Sequence, residues 1–177
     1  MHLVGFSFGS TAFGIAGREV MRQSNNVHQV ERITGLDPGQ VPGDVLPFSG
    51  RLNPGDARFV ETVHTENVGF GDHEASGHVQ YFVNGGISQP MCNSIINVVA
   101  QTCSHLFASS VWVESIQATA PIFPSLQCDS WEHFLRNDCN PNAPVGNLGV
   151  QTCTELRGRY FLRTNNVSPF SRLVPGP

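Results

Sequence analysis

The chain has 177 residues, 40% hydrophobic and 14% charged, with 18 Gly, 12 Pro and a formal net charge of -4. A charged fraction well below the usual value of about a quarter, with this much Gly and Pro, describes a loop-rich globular protein and excludes a helical bundle or a disordered tail. The sequence has no Lys/Arg cluster, which argues against nucleic acid and a polybasic membrane anchor, and no apolar run long enough for a transmembrane helix.

Met1 leads at once into an apolar strand end over residues 2–6, with no basic start and no apolar leader. A chain that opens inside a strand is expected to be a piece of a longer one. Residues 9–23 have helical spacing, with Phe13, Ala16 and Val20 on one face and Arg18 and Glu19 elsewhere. Asn25-Asn26 breaks the pattern. Val30 to Leu36 reads as a strand ending at the turn signal Asp37-Pro38-Gly39, and residues 38–56 as a long loop. Phe59 to Thr65 is a further strand, Gly69 to Gly77 a loop, Val79 to Val83 a strand and Asn84-Gly85-Gly86 a turn. Ser104 to Ile116 is predicted helical, with Phe107 and Val111 one turn apart. Trp131 to Leu135 is a helical turn, and Tyr160 to Arg163 the last strand. Strands alternating with helices predict a mostly parallel sheet flanked by helices, and residues 1–177 read most simply as one domain.

Gly5-Phe6-Ser7-Phe8-Gly9 matches G-x-S-x-G, the pattern of a sharp strand-to-helix turn that presents a serine hydroxyl from a strained backbone. Glycines two residues to either side leave room for strand and helix to approach. Ser10, Ala12, Gly14, Ala16 and Gly17 let the helix pack closely, and its N-terminus brings positive dipole to a developing oxyanion. The competing reading is a tight Gly/Ser turn. A serine at its ordinary pKa needs a base and an orienting acid, and on such folds they follow in the order Ser, Asp or Glu, His. Asp37 ends an apolar strand, and is otherwise a turn residue. His105 starts a helix, where a cap or surface histidine is the alternative; among seven histidines position alone does not select it.

Five cysteines allow at most two internal bridges. With no CxxC pair and no zinc-type spacing, disulfides in an oxidising compartment are favoured over free buried thiols.

At these residues the sequence resembles the animal pancreatic-type lipase family of secreted triacylglycerol lipases, phospholipases A1 and insect relatives. The likeness runs in order through HLVGFSFGSTAFGIAGR (2–18), RITGLDPG (32–39), RLNPGDARFVETVHT (51–65), GHVQYFVNGGISQPMC (77–92), CSHLFASSVWVESI (103–116) and RGRYFLRTNNVSPFS (157–171). It implies an α/β-hydrolase fold, here partial because relatives carry further strands before the elbow. It also implies Ser7 as nucleophile, Asp37 as acid, His105 as base and the Phe8 amide as an oxyanion donor. Non-catalytic lipid-binding, yolk-type relatives typically lose the serine, whereas all three residue types stand here. The resemblance further implies a lid closed by Cys92 and Cys103, with Cys128 to Cys139 as the second bridge and Cys153 left over.

Only ten residues lie inside that lid. Within the family a short lid goes with phospholipase A1 activity. Ser94, Ile95, Ile96, Val98 and Val99 make it mostly apolar, suited to a lipid surface, with a buried strand as the alternative. The implied partner is lipid at an interface, with no protein partner and no cofactor. Phe6 stands where relatives often have His. Relatives also often hold calcium in the loop matching 48–56, where this chain offers Phe48, the Arg51 carbonyl, Asn53 and Asp56. That donor set is poor in carboxylates, and a loop stabilised by Arg51 and Asp56 is expected instead.

Overall fold

The computed structural model describes residues 1–39, 50–72, 74–93, 96–118, 122–173 and 175–177. Among them seven strands form one sheet: β1 (His2–Phe6), β2 (Arg32–Leu36), β3 (Phe59–His64), β4 (Val79–Val83), β5 (Pro124–Gln127), β6 (Val145–Asn147) and β7 (Gly158–Leu162). Their order is β1-β2-β3-β4-β7-β5-β6. The five from β1 to β7 run parallel, and β5 and β6 extend the sheet antiparallel. Phe6 pairs with Leu36, and Leu36 with Val63. The residues that follow, Ser7 and Asp37, therefore leave adjacent strands at the same end, one strand spacing of about 4.8 Å apart.

Side chains alternate across a strand, so each face has its own core. Leu36, Val63, Val79, Tyr81, Val83, Tyr160 and Leu162 pack with Phe107, Ala108, Val111 and Trp112 of helix α2 (Asn97–Gln117). On the opposite face, Ile33 and Val60 pack with Leu3 and with Phe13 of α1 (Phe8–Gln23). Farther along that face, Phe161 and Phe82 meet Trp131 and Phe134 of α3 (Trp131–Leu135). Burial of each large apolar side chain stabilises the fold by about 1.5–3 kcal/mol. None of the described helices is long and apolar enough to cross a membrane.

The strands predicted before residue 84 are present within two residues of their expected limits. Three readings need correction. Strands β5 and β6 stand where no element was predicted. Helix α2 starts at Asn97, ahead of the predicted Ser104. On α1 the buried residues are Ser10, Thr11, Gly14 and Gly17, whereas Ala12, Ala16 and Val20 are exposed and Phe13 is half-buried. Close approach, rather than apolarity, selects that face. A Cβ at Gly5 would stand 2.5 Å from the Gly9 backbone, and one at Gly14 2.5 Å from the Asp56 carboxylate. A Cβ at Gly9 would meet nothing within 4 Å, so the steric demand of the motif falls on Gly5.

Candidate active site

Ser7 sits between β1 and α1 at φ 54°, ψ -127°, a conformation L-residues rarely adopt and one that costs on the order of 1–3 kcal/mol. Its amide donates to the Leu36 carbonyl at 3.0 Å, and its own carbonyl accepts from Ser10 at 3.0 Å to start the helix. The Ser10 hydroxyl donates to the Gly5 carbonyl at 2.8 Å, tying helix to strand. The hydroxyl of Ser7 is thereby pushed out of the turn. Phe8 is the first residue of α1, and its amide has no acceptor among the described residues. Helix N-termini leave such donors open and carry positive partial charge, which suits a developing oxyanion.

Asp37, at φ 42°, is fully buried one strand away. Its Oδ1 accepts the amides of Thr65 at 2.6 Å and Glu66 at 3.0 Å; its Oδ2 accepts from Nδ1 of His105 at 2.6 Å. That bond assigns the proton to Nδ1 and leaves Nε2 with a free lone pair. Burial pushes the Asp37 carboxyl above its ordinary value, opposed by the hydrogen bonds from His105 and the two amides. The imidazole is packed between Phe6, with ring centroids 4.6 Å apart, and Phe70, at 5.6 Å. Phe6 directly precedes Ser7, so elbow and imidazole meet at one place. Asp37 and His105 are joined; the Ser7 hydroxyl makes no hydrogen bond to any described residue. Catalytic bonds of this kind often tighten only when substrate is bound.

Sequence reasoning missed the loop that holds this pair. Glu66 is buried, and its carboxylate accepts four successive amides: Val68 at 2.9 Å, Gly69 at 2.8 Å, Phe70 at 2.6 Å and Gly71 at 3.3 Å. The resulting tight turn sets Phe70 against His105. Gly71 then bridges to Gly39. A Cβ on Gly71 would collide with the Glu66 carbonyl, and one on Gly39 would stand 2.9 Å from both the Ser7 hydroxyl and the Phe8 amide. The signal in the sequence was Gly69 and Gly71 close behind an acid, which had been read only as loop.

Cys92 is bonded to Cys103 and Cys128 to Cys139, while Cys153 is free and exposed. Of the expected lid, Ser94 and Ile95 lie outside the described residues. Ile96 caps α2, and Val98 and Val99 are in its first turn, all more than half exposed. This segment is a solvent-facing helix start and not a buried strand.

The residues matching a calcium loop do not fit that ion. Arg18 donates to Asp56 Oδ1 at 2.5 Å, to the Arg51 carbonyl at 3.3 Å and to the Gly50 carbonyl at 3.4 Å. A guanidinium thus already supplies the positive charge among these oxygens. The other Asp56 oxygen accepts the Asn53 amide at 3.0 Å, and the Asn53 side chain caps Gly55 at 2.9 Å. Phe48 lies outside the described residues. Arg51 reaches the other way, to Asp72 at 2.7 Å and Glu74 at 2.6 Å. Asp56 and Arg51 therefore brace the loop through different partners.

Comparison with known proteins agrees with this geometry. The sequence model of the lipase family, described as Lipase, matches residues 1–170. Pancreatic triacylglycerol lipase of Sus scrofa is 35% identical over 197 residues, covering 99% of this chain and 41% of that protein. The pancreatic triacylglycerol lipase of Cavia porcellus is 35% identical over 97% of this chain and 41% of its own length. Phospholipase A1 member A of Rattus norvegicus is 35% identical over 78% of this chain and 29% of its own length. The chain thus spans less than half the length of these curated relatives. With a mostly parallel sheet, flanking helices and a strained serine elbow, it has a partial α/β-hydrolase fold and belongs to the lipase family.

Proposed function

We propose that this chain is the catalytic part of a secreted serine hydrolase that cleaves carboxylic esters of glycerolipids through an acyl-enzyme. The observation that carries the reading is the buried Asp37–His105 hydrogen bond, with Asp37 one strand from a serine held at φ 54°. His105 Nε2 takes the Ser7 proton as Oγ attacks the ester carbonyl, and the Phe8 amide faces the oxyanion that forms. His105 then protonates the leaving alcohol. A water deprotonated by the same ring attacks the acyl-serine and releases the fatty acid. Asp37 keeps the ring in the Nδ1–H tautomer and stabilises the imidazolium, an interaction strengthened by the dry surroundings that Phe6 and Phe70 provide.

Lipid as substrate is supported by the exposed apolar side chains near this end of the sheet: Phe8, Val68, Phe70, Ile96, Val98 and Val99. The named relatives include triacylglycerol lipases and a phospholipase A1, and the ten-residue span between Cys92 and Cys103 favours phospholipid cleaved at the sn-1 ester. The two disulfides fit an oxidising compartment outside the cell. Phosphatidylcholine vesicles carrying distinct acyl groups at the two positions test the proposal. The expected products are the sn-1 fatty acid and a 2-acyl lysophospholipid, with no release by Ser7→Ala. Equal release by Ser7→Ala overturns the nucleophile, and cleavage confined to soluble short-chain esters overturns the lipid substrate.

A further inference from the structure

A second polar site lies at the same end of the sheet, beside the catalytic residues but separate from them. It is a cavity of about 470 Å³ beneath the carboxyl ends of β4 and β7. Its floor is rigid. The Asn84 side chain donates to Gln89 and to Thr164, both at 2.8 Å, and accepts the Thr164 amide at 3.1 Å. Gln89 is buried, donates to the carbonyls of Thr65 and Val83, and has its own amide on the Ser104 hydroxyl next to His105. The groups left over for a ligand are the guanidinium groups of Arg163 and Arg172 and the side chains of Ser88, Asn93 and Asn166, all lining the cavity.

The lining contains no carboxylate, and among the described residues neither arginine has an ion-pair partner. Two other cavities mix the signs: Arg159 lines one together with Asp129 and Asp138, and Arg32, Arg58 and Arg157 line another together with Glu31 and Glu155. On a chain with a net charge of -4, a donor-rich pocket with two unpaired guanidinium groups is built to hold an anion. Paired arginines of this sort match the forked oxygens of a phosphate.

The rim indicates where that phosphate comes from. Ile87 and Met91 flank the pocket residues Ser88 to Pro90 and are exposed. Trp131, half-buried in the wall with Arg163 at 5.9 Å, suits the boundary between water and lipid. Asn93 directly follows Cys92, where the apolar lid begins. Strand spacing puts the cavity about 10–15 Å from Asp37 and farther from Ser7. A phospholipid's phosphate is only a few bonds from its sn-1 ester, so the phosphate here belongs to a neighbouring molecule.

We propose that this cavity binds the phosphate of an anionic phospholipid adjacent to the substrate and so docks the lid end of the molecule onto a charged lipid surface. The proposal rests on the lipid-hydrolase reading only for the source of the phosphate. Cosedimentation of the intact protein with vesicles of phosphatidylcholine alone, or mixed with phosphatidylglycerol, tests it. The wild type is expected to prefer the mixed vesicles. Removal of each charge, in R163Q or R172Q, weakens that binding about fivefold, and the double variant about 25-fold. Hydrolysis of a soluble short-chain ester stays unchanged, and Ser7→Ala binds mixed vesicles like the wild type. An unchanged melting temperature in the double variant separates loss of charge from loss of fold. Equal binding to both vesicle types, or an unchanged double variant, overturns the proposal. Saturable binding of inorganic phosphate that is lost in the double variant, without any preference for anionic vesicles, assigns the cavity to free phosphate and overturns the lipid source. These outcomes do not depend on whether Ser7 is a nucleophile.

Discussion

The two disulfides close segments of the same sequence separation, 11 residues, yet they enclose opposite kinds of structure. Between Cys128 and Cys139 the chain folds inward: Phe134 is fully buried, and Trp131 stacks on it at 5.0 Å above Phe161. Between Cys92 and Cys103 it faces outward, with Ile96, Val98 and Val99 exposed at the start of the helix that carries His105. The covalent constraint is the same in both, so the difference lies in what each segment does with its apolar side chains. The first uses them to complete a core. The second leaves them in water, where they add little to stability, an arrangement that makes sense where a lipid surface is available to cover them.

Four sets of substitutions would break or sharpen that contrast. His105→Ala, just beyond the second segment, should lower ester hydrolysis by at least about 10⁴-fold with little change in melting temperature; a loss of less than tenfold would remove His105 from the chemistry. Phe134→Ala, inside the first, should cost about 3–5 kcal/mol in denaturant unfolding while leaving kcat intact below the melting transition. If it left stability unchanged, the contrast between the two segments would fail. Paired Cys→Ser exchange at either bridge should cost about 3 kcal/mol, because loop entropy depends on closure length. Only the Cys92/Cys103 pair should also change the ratio of activity on vesicles to activity on a soluble ester. Replacing Ile96, Val98 and Val99 together by Ser should move stability by no more than about 0.5 kcal/mol, yet reduce vesicle hydrolysis roughly tenfold or more, since burial of each side chain in lipid contributes about 1 kcal/mol or more. Unchanged vesicle hydrolysis would strip the segment of its lipid-facing role.

Much of this could be read from the sequence because parallel, buried strands leave compact apolar runs ended by turn residues. Val79 to Val83 followed by Asn84-Gly85-Gly86 is one case, and the elbow at Ser7 is another. The pairing of acid with base could be expected only by resemblance, since His105 is 68 residues from Asp37 and contact at that range leaves no local mark. Strands β5 and β6 were hidden for a related reason. Pro124-Ser125-Leu126-Gln127 and Val145-Gly146-Asn147 are short and hold Pro or Gly, and they are strands through their pairing with β7 and each other. The buried face of α1 escaped a search for apolar periodicity because serine, threonine and glycine form it; Ser10, Gly14 and Gly17 were legible only as small residues that let the helix pack closely. Arg18 gave no hint that it would neutralise Asp56, 38 residues away. Glu66 drew no attention in the sequence, although it organises the turn that sets Phe70 against the His105 ring.

Labelling with a fluorophosphonate, read by mass spectrometry of the modified peptide, puts the account at greatest risk. It predicts a single phosphonylated residue, Ser7, with labelling abolished in Ser7→Ala and slowed by orders of magnitude in His105→Ala and Asp37→Asn. Labelling that persists in Ser7→Ala, or that proceeds at the wild-type rate without His105, would contradict it.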